Sequence, residues 1–225
     1  KGHTIQAITP ARSESPILST NRLLKNTYAL LSATLFFSVL MAVFSMAIEP
    51  PRSIGLFTML GALGLIVFAL PRTANSSKGL WVVFGITGLL GFGIGPLLNS
   101  YMQMSNGGQI VATAFSGTGL IFLGLSGYAL TSKKDFSFMA GFLMVGLVIA
   151  IVAMVANIFL QMPALSLAIS SAVILIMSGF ILHDTSAIIR GEQTNYILAT
   201  VGMYLSIFNI FIHLLNLLGV LSGDD

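Results

Sequence analysis

Seven long apolar segments restrict this chain to a membrane fold. Each segment can cross a hydrocarbon core of roughly 30 Å as an α-helix, which rises about 1.5 Å per residue. Hydrophobic residues make up 56% of the 225 residues and charged residues only 8%, which leaves too little polar surface to cover a soluble globule of this size. We therefore predict an all-α membrane protein with seven transmembrane helices. The predicted spans are approximately residues 28–48, 54–70, 80–98, 110–130, 136–160, 164–189 and 196–221.

The segment before the first span is the longest polar part of the chain. Residues 1–26 contain Pro10, Pro16 and scattered Ser and Thr, so we predict a flexible N-terminal tail. The seven helices then form one membrane domain over residues 27–221. A short C-terminal tail, residues 222–225, follows on the other side of the membrane.

Basic residues are distributed unevenly between the two sides of the predicted membrane domain. Alternate counting of Lys and Arg gives four in the N-terminal tail, two in the second loop, two in the fourth and one in the sixth, whereas the other side has Arg52 alone. Because cytoplasmic loops carry the excess of Lys and Arg, the N-terminus is predicted to be cytoplasmic and the C-terminus to lie on the far side. Membrane orientation accounts for these charges, so the net charge of +3 is no sign of nucleic-acid binding.

The chain has no Cys, which excludes disulfides, thiol nucleophiles and Cys-ligated metals. Gly124-Leu125-Ser126-Gly127 matches the nucleophile pattern of rhomboid-type intramembrane proteases, with His213 as the nominal base. Ser126 lies near the cytoplasmic end of the fourth span, whereas His213 is far along a seventh span that starts at the same face. The two side chains therefore differ in depth by roughly 20 Å. We expect no enzyme activity, no catalytic residue, and a hydrogen bond from Ser126 to its own helix backbone.

Glycine is concentrated in the spans, and Gly91-Phe92-Gly93-Ile94-Gly95 in the third superficially resembles a phosphate-binding loop. No strand precedes this segment, and it has no basic partner. Small residues allow helix backbones to approach each other in lipid, so helix packing is the favoured interpretation. Pro96 follows directly and is predicted to kink or end the third helix.

Asp184 is the one acidic residue placed inside a predicted span. A carboxylate costs roughly 2.5 to 3.5 kcal/mol at the centre of an inserted helix and less near an interface, so it must face protein or water. Two interpretations are open. Asp184 is either an interfacial residue that reaches the cytoplasmic headgroups or, together with His183, a proton- or cation-responsive group inside the bundle. Neither residue converges with His213 at helical spacing, so no metal site and no cofactor are predicted.

Four polar residues recur on one face of the seventh span at steps of three, four and three. These residues are Ser206, Asn209, His213 and Asn216. Such a stripe must be shielded from lipid. It either fixes helix packing through interhelical hydrogen bonds, worth about 0.6 kcal/mol each, or forms a water-accessible track beside Asp184, in which His213 changes charge near neutral pH.

Three segments carry a resemblance to a known family. They are Lys133-Lys134-Asp135-Phe136-Ser137-Phe138, His183-Asp184-Thr185 and Tyr204-Leu205-Ser206-Ile207-Phe208-Asn209-Ile210-Phe211. These segments resemble the Bax inhibitor (transmembrane BAX inhibitor motif) family. Further segments look like those of one bacterial inner-membrane member, and the likeness extends from about Ser19 to Gly219. Those segments are Asn26-Thr27-Tyr28, Gly95-Pro96-Leu97-Leu98-Asn99, Met154-Val155-Ala156-Asn157-Ile158-Phe159-Leu160-Gln161 and Thr194-Asn195-Tyr196-Ile197.

The family resemblance implies a fold in which a central sixth helix is wrapped by the other six. In calcium-leak members, an aspartate on the sixth helix pairs with one on the seventh, and the pair shares a proton and acts as a pH sensor. Asp184 matches the first aspartate. The second falls at Ser206, which cannot carry the charge, so the chemistry of paired carboxylates lacks a partner here. A pH-sensitive proton or calcium leak channel is therefore the alternative function.

The resemblance to the bacterial member implies a different role. That protein is a substrate and a modulator of the membrane protease FtsH, which assembles with HflK and HflC. By resemblance, we expect this chain to lie in the bacterial inner membrane, to bind that assembly and to slow the degradation of other membrane substrates. A processive ATP-driven protease needs an unfolded end to grip. The N-terminal tail, with Lys1, Arg12 and Ser15, would offer such an end on the cytoplasmic side.

Overall fold

The computed structural model describes residues 16–222. Seven helices that are long and apolar enough to cross a membrane run through this part of the chain, and its residues form no β-strand. The predicted all-α membrane fold is thereby confirmed. In chain order the helices are α1 (Pro16–Ile48), α2 (Ile54–Thr73), α3 (Lys78–Met102), α4 (Gly107–Ser132), α5 (Met139–Leu160), α6 (Pro163–Ile189) and α7 (Tyr196–Ser222).

Helix α1 begins well before the predicted first span. Within the described residues it already runs from Pro16. The predicted tail is therefore helical over residues 16–26. The rest of that tail, with Lys1, Arg12 and Ser15, lies outside the described residues, as do residues 223–225 of the predicted C-terminal tail.

Prolines set two of the chain reversals. After α1, Glu49 adopts a left-handed conformation with φ 47°, and Pro50 and Pro51 cannot continue the helix. After α5, Gln161 is also left-handed, with φ 51°, and α6 begins at Pro163. Both turns are consistent with the spans predicted from the sequence.

Two other prolines lie inside helices. Pro71 follows a π-helical segment of α2, Leu65–Ala69, in which the Leu70 N–H donates to the Leu65 carbonyl. A proline has no N–H to donate and its ring crowds the preceding turn, so the wider π-helical turn accommodates it. Pro96 lies within a continuous α3 that extends to Met102, so the third helix does not end at this proline.

Helices α3 and α6 have the largest buried share among the seven described spans. Helix α6 packs against α1, α4, α5 and α7, which agrees with the central position implied for the sixth helix. Helix α7 is equally surrounded, by α1, α3, α4 and α6. Helices α1 and α4 contact both α6 and α7 and therefore cover part of the interface between them.

The glycines of α3 allow a close approach of α1. A Cβ on Gly91 would lie 2.8 Å from Cα of Ser38, and one on Gly95 would lie 2.5 Å from Cβ of Ser45. Carbon atoms of real side chains do not come so close, so only glycine fits at these positions. The packing interpretation of this glycine-rich segment is confirmed. In α4, by contrast, a Cβ on Gly124 would meet nothing within 4 Å.

Candidate functional site

Asp184 lies near one end of α6, five residues before the helix ends at Ile189. One carboxylate oxygen, Oδ2, faces α7 at Gly202, where an added Cβ would lie 3.0 Å away. The other oxygen, Oδ1, is 3.0 Å from Nδ1 of His183. The side chains of His183 and Asp184 retain 23% and 26% of their exposure. The carboxylate is therefore held between α6 and α7, but within two turns of the helix end.

Ser206 is the residue at which the family resemblance predicts the second aspartate of the calcium-leak members. Its side chain is buried, and its hydroxyl donates to the Gly202 carbonyl at 3.1 Å. Asn209, the next residue of the α7 stripe, donates to the Leu205 carbonyl at 2.8 Å. This half of the stripe therefore bonds within its own helix, and Asp184 faces α7 at Gly202.

The other half of the stripe bonds to α6. His213 Nδ1 is 3.0 Å from the Ser170 hydroxyl oxygen. The Asn216 side-chain oxygen accepts hydrogen bonds from Ser166 at 3.3 Å and from Ser170 at 3.2 Å. These are the interhelical bonds expected if the stripe fixes the packing of two helices.

An apolar cluster lies between the two halves of the stripe. Its members come from α5, α6 and α7, and all are buried: Ala150, Ile169, Val173, Met177, Ile181 and Ile210. Gly202, which faces Asp184, is eleven residues from His213 along α7, or about 16 Å in depth. In this structure, packed apolar side chains lie between Asp184 and the His213 end of the stripe.

Ser126 bonds to other helices, so the prediction that it bonds to its own backbone is wrong. Its hydroxyl is hydrogen-bonded to Tyr28 of α1 and lies 3.3 Å from the Thr185 hydroxyl of α6. These three hydroxyls join α1, α4 and α6 next to Asp184. His213 belongs to the separate Ser170 network, as the depth difference along the two helices predicts.

An ion-pair cluster that the sequence reading missed joins two loops beside the end of α6. Arg190 pairs with Asp135 of the α4–α5 loop, and its other guanidinium nitrogens bond Glu192 at 2.7 and 3.1 Å. The Ser186 hydroxyl donates to the Lys134 carbonyl at 2.9 Å. The α4–α5 loop is thereby fastened to α6. The sequence does show opposite charges in loops that are predicted to lie on the same side of the membrane. It does not show which of these charged residues pair.

The Arg190 guanidinium lowers the pKa of Glu192 through a hydrogen bond. A carboxylate with a lower pKa in the folded state stabilises the protein above its unfolded pKa, and this contribution is lost as the pH falls through the folded value. We expect the thermal unfolding midpoint in detergent to fall as the pH drops below about 4.5, the ordinary pKa of Glu. Glu192→Gln should reduce this fall slightly, because exposed ion pairs contribute little. Glu49→Gln, at the opposite side of the bundle and outside the ion pairs of the described residues, is the matched control. Identical behaviour of both variants would contradict the role of Arg190.

The sequence of the helical bundle matches a known protein family. Residues 20–223 match the family described as inhibitor of apoptosis-promoting Bax1. The chain belongs to the Bax inhibitor family. The resemblance inferred from its sequence segments is thus confirmed, and the chain is a multi-pass membrane protein of this family.

Relatives of this Bax inhibitor protein match it over nearly its full length. An uncharacterized membrane protein of Vibrio cholerae is 51% identical over 208 residues, which cover 92% of this chain and 93% of the relative. A protein of Escherichia coli named modulator of FtsH protease YccA is 46% identical over 217 residues, 96% of this chain and 98% of the relative. An uncharacterized protein of Pseudomonas aeruginosa is 43% identical over 202 residues, 90% of each chain.

The third segment that resembles the Bax inhibitor family begins at Tyr204 and connects three helices in the centre of the bundle. Tyr204, its first residue, is almost fully buried. Its hydroxyl donates to the Thr87 carbonyl of α3 at 3.3 Å and lies 2.6 Å from the Ser38 hydroxyl oxygen of α1. This side chain therefore ties α7 to α1 and α3, and sequence periodicity gave no indication of either partner.

Proposed function

We propose that this protein binds the FtsH protease in the membrane, slows the degradation of other membrane substrates and is itself a substrate. The proposal is supported by 46% identity, over 96% of the chain, to a protein named as a modulator of FtsH. The name inner membrane protein for a second such relative supports the bacterial inner membrane as the location. HflK and HflC are proposed as further members of the complex.

The packing of α1 is the structural observation that best supports this role. Helix α1 follows the N-terminal tail, so a protease that grips the tail pulls on α1 first. Helix α1 is held against α3 by the contacts at Gly91 and Gly95, and against α7 by the bond between Ser38 and Tyr204. A helix that resists extraction delays processive unfolding, and the enzyme is occupied for that time.

The contacts between loops support a cytoplasmic N-terminus. The side-chain amide of Asn195 donates to the Ala74 carbonyl at 2.9 Å, and Arg190 pairs with Asp135. The α2–α3, α4–α5 and α6–α7 connections therefore lie on the same side of the bundle. These connections carry the basic residues of the second, fourth and sixth loops, and such an excess is typical of the cytoplasmic side.

Deletion of residues 1–18 tests the proposed handle. We expect the shortened protein to insert normally but to lose turnover by FtsH, because the segment proposed as the handle is removed. The half-life is measured by a chase in cells with and without active FtsH, and insertion is checked by resistance to alkaline extraction. A matched variant, in which a Gly/Ser segment of the same length replaces residues 1–18, should be degraded again. Unchanged turnover of the deletion variant would contradict the handle.

A pH-sensitive leak is the alternative function, and the position of Asp184 beside α7 favours it. Two observations favour the modulator instead. The α7 residue at the second aspartate position is Ser206, whose hydroxyl bonds the Gly202 carbonyl. The apolar cluster around Ile181 and Ile210 fills the interior between Asp184 and the other polar half of the stripe.

A further inference from the structure

A polar cavity lies among α5, α6 and α7, at the end of the bundle opposite Asp184. Its volume is about 230 Å³. Asn157 lies three residues before the end of α5 and Ser166 three residues after the start of α6, so the cavity is about 5 Å from these helix ends. Its polar lining consists of Asn157, Ser166, Ser170, His213 and Asn216.

The hydrogen-bond order in this cavity identifies the nitrogen of His213 that can take up a proton. The Ser170 hydroxyl donates its one hydrogen to the Asn216 side-chain oxygen at 3.2 Å. His213 Nδ1, 3.0 Å from the same Ser170 oxygen, must therefore be the donor. In the neutral ring the hydrogen is on Nδ1, and Nε2 is the basic nitrogen. Because the Asn216 oxygen also accepts from Ser166, the Asn216 amide nitrogen is left to donate to water.

The cavity is closed towards the centre of the membrane. Ile169 belongs both to its lining and to the buried apolar cluster, and Ile210, one turn before His213, is fully buried in the same cluster. Water that enters from the far side therefore reaches His213 and is stopped before Asp184.

We propose that this cavity is a water-filled vestibule, open to the far side of the membrane, that binds a proton at Nε2 of His213. Amide and hydroxyl groups in lipid are costly unless they find partners, and the cavity has room for several waters of about 30 Å³ each. An intramembrane His that water can reach can bind a proton, because a neutral imidazole keeps one basic ring nitrogen.

The surrounding helices place no second charge beside His213. Helix α5 has no ionisable side chain, and the lining contains no carboxylate, Lys or Arg. The ionisable groups of the neighbouring spans α4 and α6 are Tyr128, His183 and Asp184, all at the opposite end. Tyr101 of α3 contacts α7 at Gly219, almost two turns from His213. A change in charge inside the vestibule would therefore come from His213 and from no neighbouring group.

Water access is tested by thiol labelling, for which the natural absence of Cys provides the background. Ser166→Cys is placed in the vestibule, and the matched control Ser206→Cys lies beyond the apolar cluster. We expect a membrane-impermeant methanethiosulfonate to modify Ser166→Cys in spheroplasts, which expose the far side, and to leave Ser206→Cys unmodified. Both thiols should react after denaturation. Failure of Ser166→Cys to react in spheroplasts, or its reaction in inverted vesicles alone, would overturn the vestibule.

Proton binding is tested by comparing an anionic with a cationic methanethiosulfonate on Ser166→Cys. The ratio of the two rates removes the pH dependence of the thiolate itself, because both reagents attack the same thiol. As the pH is lowered, a positive His213 should raise the anionic-to-cationic ratio several-fold. The ratio should stay flat when His213→Gln is added. A flat ratio with His213 present, or the same rise without it, would overturn proton binding at this residue.

Discussion

Replacement of Gly91 by leucine should separate α1 from α3 and, under the proposed function, speed the degradation of the protein by FtsH. The added side chain would begin 2.8 Å from the Ser38 Cα, so the backbone of α1 has to move away. Overpacking of a well-packed site costs typically 1 to 3 kcal/mol, and a backbone obstacle puts this variant at about 3 kcal/mol or above. Losses of this size shorten the lifetime of a protein in cells several-fold. If α1 is extracted easily, the variant should also no longer slow the degradation of other membrane substrates by FtsH.

The half-life in cells and the degradation of a second FtsH substrate are measured together. Gly124→Leu is the matched control, because a Cβ on Gly124 meets no atom within 4 Å and the leucine would point into open space. Gly91→Ala should give an intermediate result if the effect scales with the displaced volume. Equal half-lives for Gly91→Leu and Gly124→Leu would contradict the idea that the α1–α3 contact limits extraction.

Ser206→Asp should create a pH-sensitive calcium leak. The substitution adds a carboxylate where the family resemblance predicts the second aspartate of the calcium-leak members. This position is one helical turn from Gly202, where Asp184 already faces α7. Two carboxylates at such a site share one proton, and their joint ionisation depends on pH. In calcium-loaded liposomes, we expect flux near that of protein-free liposomes for the natural chain and a clear, pH-dependent flux for the variant.

Two control variants are needed for the interpretation of this experiment. Ser206→Asn has a similar size without the charge and should remain silent. Addition of Asp184→Asn to Ser206→Asp should abolish the new flux, since the pair is broken. Strong pH-dependent flux from the natural chain that disappears in Asp184→Asn would contradict the modulator as the main function and favour the leak.

Much of the candidate site could be predicted from the sequence, because a buried charge in lipid is rare and therefore conspicuous. Asp184 is identified in this way, and the resemblance to calcium-leak members directs attention to Ser206. The partners of these residues could not be predicted. Helical periodicity shows which residues share a face, but it does not show which neighbouring helix that face meets. For the same reason, the bonds of Ser126 to Tyr28 and Thr185 replaced the backbone bond that was expected.

The sequence by itself determined the seven crossings, the turns at prolines and the family, because a hydrocarbon core demands long apolar helices with satisfied backbone groups. Only the tertiary structure decided which polar groups meet. Arg190 and Asp135 are 55 residues apart, and Tyr28 and Ser126 are 98 apart, so nothing local in the chain pairs them. The vestibule at His213 likewise exists because three helix ends converge there while apolar side chains close the bundle beyond it. Packing between helices sets these distances, and packing depends on the whole bundle.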